Sequence, residues 1–196
     1  MAEQGERKLQ ILQTLAAMLE SPQQEKITTA ALAARLEVSE AALYRHFASK
    51  AQMYDGLIEF IEQTLFGLVN RIVSGQDAEL QKLESVLAVL LGFAGKNPGM
   101  TRVLTGDALV HENARLQARI SQLLDRVEAT LRQLLRIAVA QGECQTDAGA
   151  GAALLLAFVT GRWQMFARSG FSRMPDQDFS LQWQILSLGL LPRNPA

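Results

Sequence analysis

The sequence of 196 residues predicts an all-α fold of about nine helices, with a small N-terminal three-helix unit followed by a larger helical body. Apolar residues recur at helical spacing along nearly the whole chain, and no segment shows the sustained alternation of a strand. All five prolines stand where a break between helices is plausible. Because 48% of the residues are apolar, the chain can bury a substantial core, and we expect one or two compact units.

The N-terminal unit, residues 1–50, holds the first three predicted helices. Helix 1 is expected over about Gln4–Leu19, where leucines line one face, and SPQQEK follows as a loop. Thr28 or Thr29 is expected to cap helix 2, because an N-cap hydroxyl accepts hydrogen bonds from the first turn of a helix. A turn at Glu37–Val38 then leads to helix 3, which Ser39 caps.

The body, residues 51–196, continues as longer helices separated by glycine, proline and polar residues. Ser49 followed by Gln52 is typical of a capping box, which opens helix 4. The predicted helices are helix 4 to about Val73, helix 5 over about Ala78–Ala94, a short helix from Pro98 to about Gly106, the longest helix over about Ala108–Ala140, helix 8 over about Ala148–Arg168, and a last helix over Phe179–Leu191.

Composition argues against several classes of protein. Cys144 is the only cysteine, so one chain holds no disulfide framework and no cysteine metal cluster, which fits a reducing cytosol. The start, MAEQGERKLQ, lacks the apolar region of a signal peptide, and the longest apolar-rich runs are shorter than the roughly 18–20 residues of a membrane span. No catalytic constellation, phosphate loop or metal-ligand spacing occurs, so we expect a cytoplasmic protein that is not an enzyme and needs no cofactor or metal.

The overall charge does not indicate a nucleic-acid-binding protein. The formal net charge is −1, and the first 55 residues hold six Lys and Arg against seven Asp and Glu. A prediction of DNA binding must therefore rest on where the cations lie rather than on how many there are.

Helix 3 has small side chains along one face and polar or cationic side chains at its far end. Small side chains allow a helix to approach base edges in the major groove, while donors at its end can hold phosphates. The alternative is a short, alanine-rich helix that only packs. The residues predicted to contact double-stranded DNA are Thr28, Thr29, Ser39, Ala41, Ala42, Tyr44, Arg45, His46 and Lys50.

The stretch ITTAALAARLEVSEAALYRHFASKAQMYDGLI resembles the helix-turn-helix of TetR-type regulators. The shared features are a Thr-started helix 2, a Val-Ser entry to helix 3, a Tyr-x-x-Phe ending and a Ser-Lys opening of helix 4. The resemblance implies a TetR-like fold, with an N-terminal DNA-binding domain and a C-terminal helical domain for dimerisation and regulation. Glu37 departs from the pattern, because the family usually has a glycine at this left-handed turn position.

The last two helices suggest a homodimer. FSLQWQILSLGLL is apolar around its whole circumference, and helix 8 is similar, so each must be buried on several sides. A monomer core is one explanation, and a two-fold four-helix interface is the other. A dimer would place two DNA-reading units about 34 Å apart on a palindromic site. The predicted interface residues are Leu154, Phe158, Trp183 and Leu186.

Several body segments resemble one branch of the TetR-type proteins, the nucleoid occlusion factors; among them are LLGFAGKNPGMTRVLTGDAL and FARSGFSRMPDQDFSLQW. The resemblance implies a nucleoid-associated protein that, when bound to DNA, antagonises assembly of the tubulin-like division GTPase FtsZ and blocks septum formation over the nucleoid. It also implies a partner region that includes Phe60, Gly92, Lys96 and Asn97. This chain departs from the branch at Lys96 and Leu68, where arginines are expected.

The alternative is a ligand-responsive transcriptional repressor, whose body would enclose a small-molecule effector. The candidate polar residues for such a pocket are Arg102, Asp107, His111 and Gln164.

Overall fold

The computed structural model describes residues 2–21, 27–110 and 112–190, and within these ranges it contains nine α-helices, one 3₁₀ helix and no strand. The predicted all-α fold is confirmed. The helices are α1 (Ala2–Leu19), α2 (Thr29–Arg35), α3 (Glu40–Tyr44), α4 (Lys50–Val73), α5 (Glu79–Lys96), α6 (Pro98–Leu104), the 3₁₀ helix (Asp107–Leu109), α7 (Ala114–Ala140), α8 (Ala148–Arg168) and α9 (Phe179–Leu188).

The start of the longest helix differs from the prediction. Gly106 adopts a left-handed conformation (φ 82°), and a short 3₁₀ helix follows it, so α7 begins at Ala114 rather than near Ala108. Asn113 marks the new start, because its Oδ1 accepts a hydrogen bond from the Arg115 N–H at 2.9 Å. The last helix ends at Leu188.

Three sequence predictions fall outside the described residues. These are most of the SPQQEK loop, His111 as a pocket residue, and the final residue of the predicted last helix, Leu191.

The chain divides into two compact units. Unit 1 comprises residues 1–63 and 97–120, and unit 2 comprises residues 64–96 and 121–196, so α4 and α7 each contribute residues to both. The predicted domain boundary after Lys50 stays a prediction about which part of the chain folds independently.

Unit 1 is held together by apolar contacts and one close helix crossing. Leu32 of α2, Leu43 of α3 and Phe47, which follows α3, are buried. Gly99 at the start of α6 lies so close to α1 that a Cβ atom there would sit 1.9 Å from the Ala16 carbonyl oxygen. No side chain fits at this position without moving one of the two helices.

Unit 2 contains two side chains that tie distant backbone segments together. The indole of Trp163 on α8 is buried and donates to the Leu90 carbonyl of α5 at 3.1 Å. The Glu143 carboxylate accepts from the N–H groups of Glu79 and Leu80 at 3.1 and 2.9 Å, and so caps the positive end of α5. The Glu143 contact satisfies N–H groups that the start of α5 leaves without an intrahelical partner, whereas the Trp163 contact pairs a buried indole N–H.

Helix α8 is the one described helix whose length and composition would also suit a membrane span. Core helices of water-soluble proteins share these properties. In this chain Leu155, Val159 and Trp163 of α8 are buried inside unit 2, while Leu154 is exposed.

The turn between α2 and α3 is left-handed at Glu37 (φ 55°), as the sequence comparison with the family pattern predicts. This conformation costs a residue with a Cβ atom about 1–2 kcal/mol, and a glycine would avoid that cost. Part of this gain is lost, because a glycine chain has a larger conformational entropy in the unfolded state. We therefore expect Glu37→Gly to raise the free energy of unfolding by about 0.5–1 kcal/mol in urea titrations at one fixed protein concentration.

Glu37→Ala is the control for that change, because it removes the same charge but keeps the Cβ atom. An equal gain from both variants would show that the charge, not the left-handed backbone, is responsible.

Candidate nucleic-acid interface

Two hydroxyl caps fix the ends of the short helices at this surface. The Thr28 Oγ1 accepts from the Ala31 N–H at 3.1 Å, which decides between the two threonines proposed for the cap of α2. The Ser39 Oγ accepts from the Ala42 N–H at 3.2 Å at the start of α3, as predicted. The Thr28 hydroxyl acts only as an acceptor in this contact, so its proton is available to a phosphate oxygen.

The faces of α3 are sorted as the sequence predicts. Leu43 is 1% exposed and points into the core, whereas Ser39, Ala41 and Arg45 are exposed. Tyr44 is 45% exposed. Arg45 forms no salt bridge with any of the described residues, so its guanidinium is available for a phosphate or a base. Helix α3 therefore exposes a face of small side chains to solvent, with hydrogen-bond donors at its C-terminal end.

A chain of hydrogen bonds links α2 to both ends of α3. The Tyr44 hydroxyl donates to Thr29 Oγ1 at 3.4 Å, and the Thr29 hydroxyl donates to Glu40 Oε2 at 2.6 Å. Thr29 thus gives its proton to a carboxylate of the same protein rather than to solvent. Glu40 was missing from the predicted site, because a contact across 11 residues and two helices leaves no periodic signal in the sequence.

Lys50 is not a free cation in the structure. Its ammonium forms a salt bridge with Glu112 at 2.5 Å, and it also lies 5.6 Å from the centre of the Tyr54 ring. The side chains of Lys50 and Glu112 are 21% and 13% exposed. Burial, with the nearby Glu112 charge, raises the pKa of Tyr54, which therefore stays neutral. Lys50 can contact DNA with its ammonium only after giving up Glu112.

The start of α4 is capped as predicted, with one difference in detail. The Gln52 N–H donates to Ser49 Oγ at 3.2 Å, and the Gln52 side chain accepts from the Ala48 N–H instead of the Ser49 N–H. His46 is half-buried, and its Nδ1 is buried with no hydrogen-bond partner among the described residues. Its predicted phosphate contact would use the other ring nitrogen.

The residues proposed for a partner lie in different environments. Phe60 on α4 is half-buried in unit 1, and Lys96 is exposed in the last turn of α5. Gly92 on α5 borders open space, since a Cβ atom there would meet nothing within 4 Å. Asn97 precedes α6, and its carbonyl accepts from both the N–H and the hydroxyl of Thr101 at 2.9 and 3.0 Å.

Apolar side chains remain exposed on α8 and α9. Of the four residues predicted for a dimer interface, Leu154 is 55% exposed, Phe158 and Leu186 are half-buried, and Trp183 is buried at 7% exposure within its own chain. Three α9 residues that the prediction did not include among its interface residues are more exposed than Leu154. These are Leu181, Ile185 and Leu188, at 61%, 70% and 71%.

Unit 2 contains a partly open cavity of about 400 Å³ between the end of α4, the start of α5 and the second half of α7. Its lining includes the salt bridge between Glu79 Oε1 and Lys82 Nζ (2.7 Å), together with Asn70, Thr130 and Ile137. Glu79 Oε2 is buried and has no hydrogen-bond partner among the described residues.

Of the polar residues predicted for an effector pocket, the three that the structure describes do not line this cavity. Arg102 is buried and donates to the Ser21 carbonyl at 2.9 Å in unit 1, Asp107 is exposed at the start of the 3₁₀ helix, and Gln164 is half-buried on α8.

Comparison with known proteins agrees with this architecture. Residues 24–57 match the family "Bacterial regulatory proteins, tetR family", and residues 77–190 match the SlmA-like family "Tetracyclin repressor-like, C-terminal domain". The chain is 47% identical to the nucleoid occlusion factor SlmA of Idiomarina loihiensis, over 97% of this chain and 99% of that protein. The chain belongs to the SlmA branch of the TetR family.

A second SlmA, from Alteromonas mediterranea, is 49% identical over 90% of this chain and 92% of its own length. The solved structure of the TetR family transcriptional regulator PfmR from Thermus thermophilus has the same fold, with a TM-score of 0.76 over 93% of this chain and 99% of that chain at 23% identity. The identity to SlmA proteins therefore extends well beyond the DNA-binding head, whereas the likeness to PfmR shows the fold alone.

The Lys50–Glu112 salt bridge leads to a prediction about DNA affinity. Glu112→Gln frees the Lys50 ammonium for phosphate, and a part-exposed pair of this kind contributes up to about 1 kcal/mol, so we expect DNA affinity to rise up to about fivefold per subunit. Fluorescence anisotropy at several salt concentrations should also show a steeper salt dependence, because one more cation contacts DNA.

The control is the double-mutant cycle with Lys50→Met. In that background Glu112→Gln should have no effect, and an undiminished gain would show that Glu112 acts through general repulsion of DNA instead of through Lys50.

Proposed function

We propose that this protein binds palindromic double-stranded DNA as a homodimer and, when bound, antagonises FtsZ assembly so that no septum forms over the nucleoid. The observation that supports the proposal most strongly is the 47–49% identity to nucleoid occlusion factors over nearly the whole chain, body included. We place the protein in the cytoplasm, on the nucleoid.

In the proposed complex, α3 enters the major groove with its small face towards the base edges. Ser39, Ala41 and Ala42 form this face, while Arg45 and the Thr28 hydroxyl reach phosphates on either side. Lys50 contributes its ammonium once DNA replaces Glu112, and it also contributes the backbone N–H groups of the first turn of α4.

The proposed dimer uses the exposed apolar face of α8 and α9. Leu154, Leu181, Ile185 and Leu188 supply it, and burying such side chains is worth roughly 1.5–3 kcal/mol each. Trp183 is already buried within its own chain and would pack beneath this face. A dimer is also needed for affinity, because a single head with a nearly neutral charge binds DNA weakly.

The proposed contact with FtsZ centres on Lys96. This lysine is exposed in the last turn of α5, next to the open space above Gly92, and an acidic flexible tail of the kind that FtsZ-type proteins present would be attracted to it. Phe60 and Asn97 are included because the resemblance to nucleoid occlusion factors implies them.

A repressor that responds to a small molecule is the second candidate. The cavity beside Glu79 and Lys82 favours it, because its volume lies within the range of ligand pockets and one buried carboxylate oxygen there has no donor among the described residues. Genome-wide mapping of bound sites separates the candidates: occupancy of a few promoters supports a repressor, and many dispersed sites support nucleoid occlusion.

Light scattering of FtsZ assembly tests the first proposal. Wild-type protein with saturating DNA should reduce the scattering signal, and Lys96→Glu should abolish most of this effect with DNA affinity unchanged, because the variant repels an acidic tail. Arg136→Glu, at an exposed position of α7, is the matched control and should behave as wild type.

Unchanged FtsZ assembly in the presence of DNA-saturated wild-type protein would refute the proposed antagonism. Equal losses from Lys96→Glu and Arg136→Glu would refute only the assignment of Lys96.

The dimer proposal predicts that Ile185→Glu converts the protein to a monomer, since it buries an unpaired charge in the apolar face. Analytical ultracentrifugation measures the change, and DNA affinity should fall at least tenfold because the second head is lost. Val110→Glu is the matched control, at a residue of unit 1 that is 67% exposed, and it should remain dimeric. A dimeric Ile185→Glu variant would exclude this face as the interface.

A further inference from the structure

We infer that Glu40 reads a base: its carboxylate accepts a hydrogen bond from the exocyclic amino group of a cytosine in each half-site. The inference rests on the proposed function, because it names a base contact within the same DNA interface. Three observations support it, namely the position of Glu40 on α3, the way its side chain is held, and the chemistry of a carboxylate in the major groove.

Glu40 occupies the position from which helix-turn-helix proteins contact base edges. The N-terminal residues of the second helix approach the bases, and Glu40 is the first residue of α3. Its neighbours are short: the Ser39 hydroxyl caps the helix as an acceptor and keeps only its proton to donate, and Ala41 and Ala42 present only methyl groups. Glu40 is therefore the only long polar side chain in the first turn of α3.

The carboxylate is oriented before any DNA arrives. Glu40 Oε2 accepts the Thr29 proton at 2.6 Å, and Thr29 Oγ1 in turn accepts from the Tyr44 hydroxyl. Glu40 is exposed, and no described residue gives its carboxylate a further hydrogen bond. One oxygen is thus fixed by α2, which leaves Oε1 as an acceptor with little side-chain entropy to lose on binding.

A carboxylate can only accept, which makes it selective among base edges. Cytosine presents only the N4 amino donor in the major groove, whereas adenine has the N7 acceptor beside its N6 amino donor, and the O6 of guanine and the O4 of thymine are acceptors that a carboxylate repels. The same negative charge repels phosphates, so Glu40 weakens binding to every sequence alike. A carboxylate at this position lowers general affinity and increases selectivity, as expected when a protein excludes wrong partners by repulsion.

Glu40 could instead serve structure alone, since an acid in the first turn favours the helix dipole and the bond to Thr29 ties α2 to α3. The two roles differ in what a glutamine would do. Glutamine keeps a hydrogen bond to Thr29, but in the major groove it pairs with the N6 and N7 of adenine. If the role is structural, Glu40→Gln leaves the preferred DNA sequence unchanged. If Glu40 reads a base, the same substitution changes the preferred base at one position of each half-site.

The test is selection from a random double-stranded DNA pool at one salt concentration, with wild-type protein, Glu40→Gln, Glu40→Ala and the control Glu37→Gln. Wild type should select a palindrome that contains a cytosine, preferred by roughly five- to 150-fold, at one symmetric position. Glu40→Gln should select adenine there, and Glu40→Ala should show no preference at that position alone. Glu37→Gln removes the same charge from the exposed turn and should select the wild-type palindrome.

The outcomes separate this inference from the proposed function. Identical palindromes from wild type and both Glu40 variants would overturn the inference and leave sequence-specific DNA binding intact. Loss of binding to all sequences by both variants, with unchanged helical circular dichroism, would assign Glu40 to positioning Thr29 and Tyr44 and would equally overturn it. Failure of wild type to select any palindrome would overturn the proposed function, and the inference with it.

Discussion

Helix α3 has only five residues, and the geometry of the DNA-binding surface depends on how the rest of unit 1 holds it. Isolated helices shorter than about 12–15 residues are marginal in water, so α3 has no stability of its own. Burial of Leu43 and Phe47 fixes one side, the Ser39 cap fixes its start, and the left-handed turn at Glu37 sets the angle to α2. These contacts therefore determine the positions of the side chains that α3 exposes at the DNA-binding surface.

Charge is the second constraint, because the nearly neutral charge of the head lowers its affinity for DNA. The head has no excess of cations, one of its cations is paired with Glu112, and an acid stands at the start of the recognition helix. Nonspecific attraction to phosphates must consequently be weak. In the proposed dimer, pairing two heads would supply the missing affinity, and the exposed apolar face of α8 and α9 would thereby contribute to DNA binding.

Local patterns in the sequence predicted most of the fold and part of the site. The predicted bounds of α8 agree with the observed helix, and the small residues predicted for one face of α3 include Ser39 and Ala41, which are exposed. The late start of α7 escaped prediction, because apolar spacing continues across a backbone turn that Gly106 makes.

Contacts between residues far apart in the sequence could also not be predicted from local patterns. Lys50 and Glu112 are 62 residues apart, and no periodicity relates them. Periodicity thus indicates which face of a helix is apolar, but not which of its polar side chains already hold a partner.

These two kinds of information bear differently on function. Side-chain type and spacing decide whether α3 can enter a groove, and this is shared by proteins that read unrelated sequences. Hydrogen bonds within the protein decide which donors and acceptors remain free for DNA. Only these free groups can distinguish one base from another. Among the described residues of this surface, such groups include the Arg45 guanidinium, the hydroxyl protons of Thr28 and Ser39, and one Glu40 oxygen. Because donors suit phosphates and guanine while an acceptor suits cytosine, the inferred contact of Glu40 would add a base selectivity that the donors of the head do not supply.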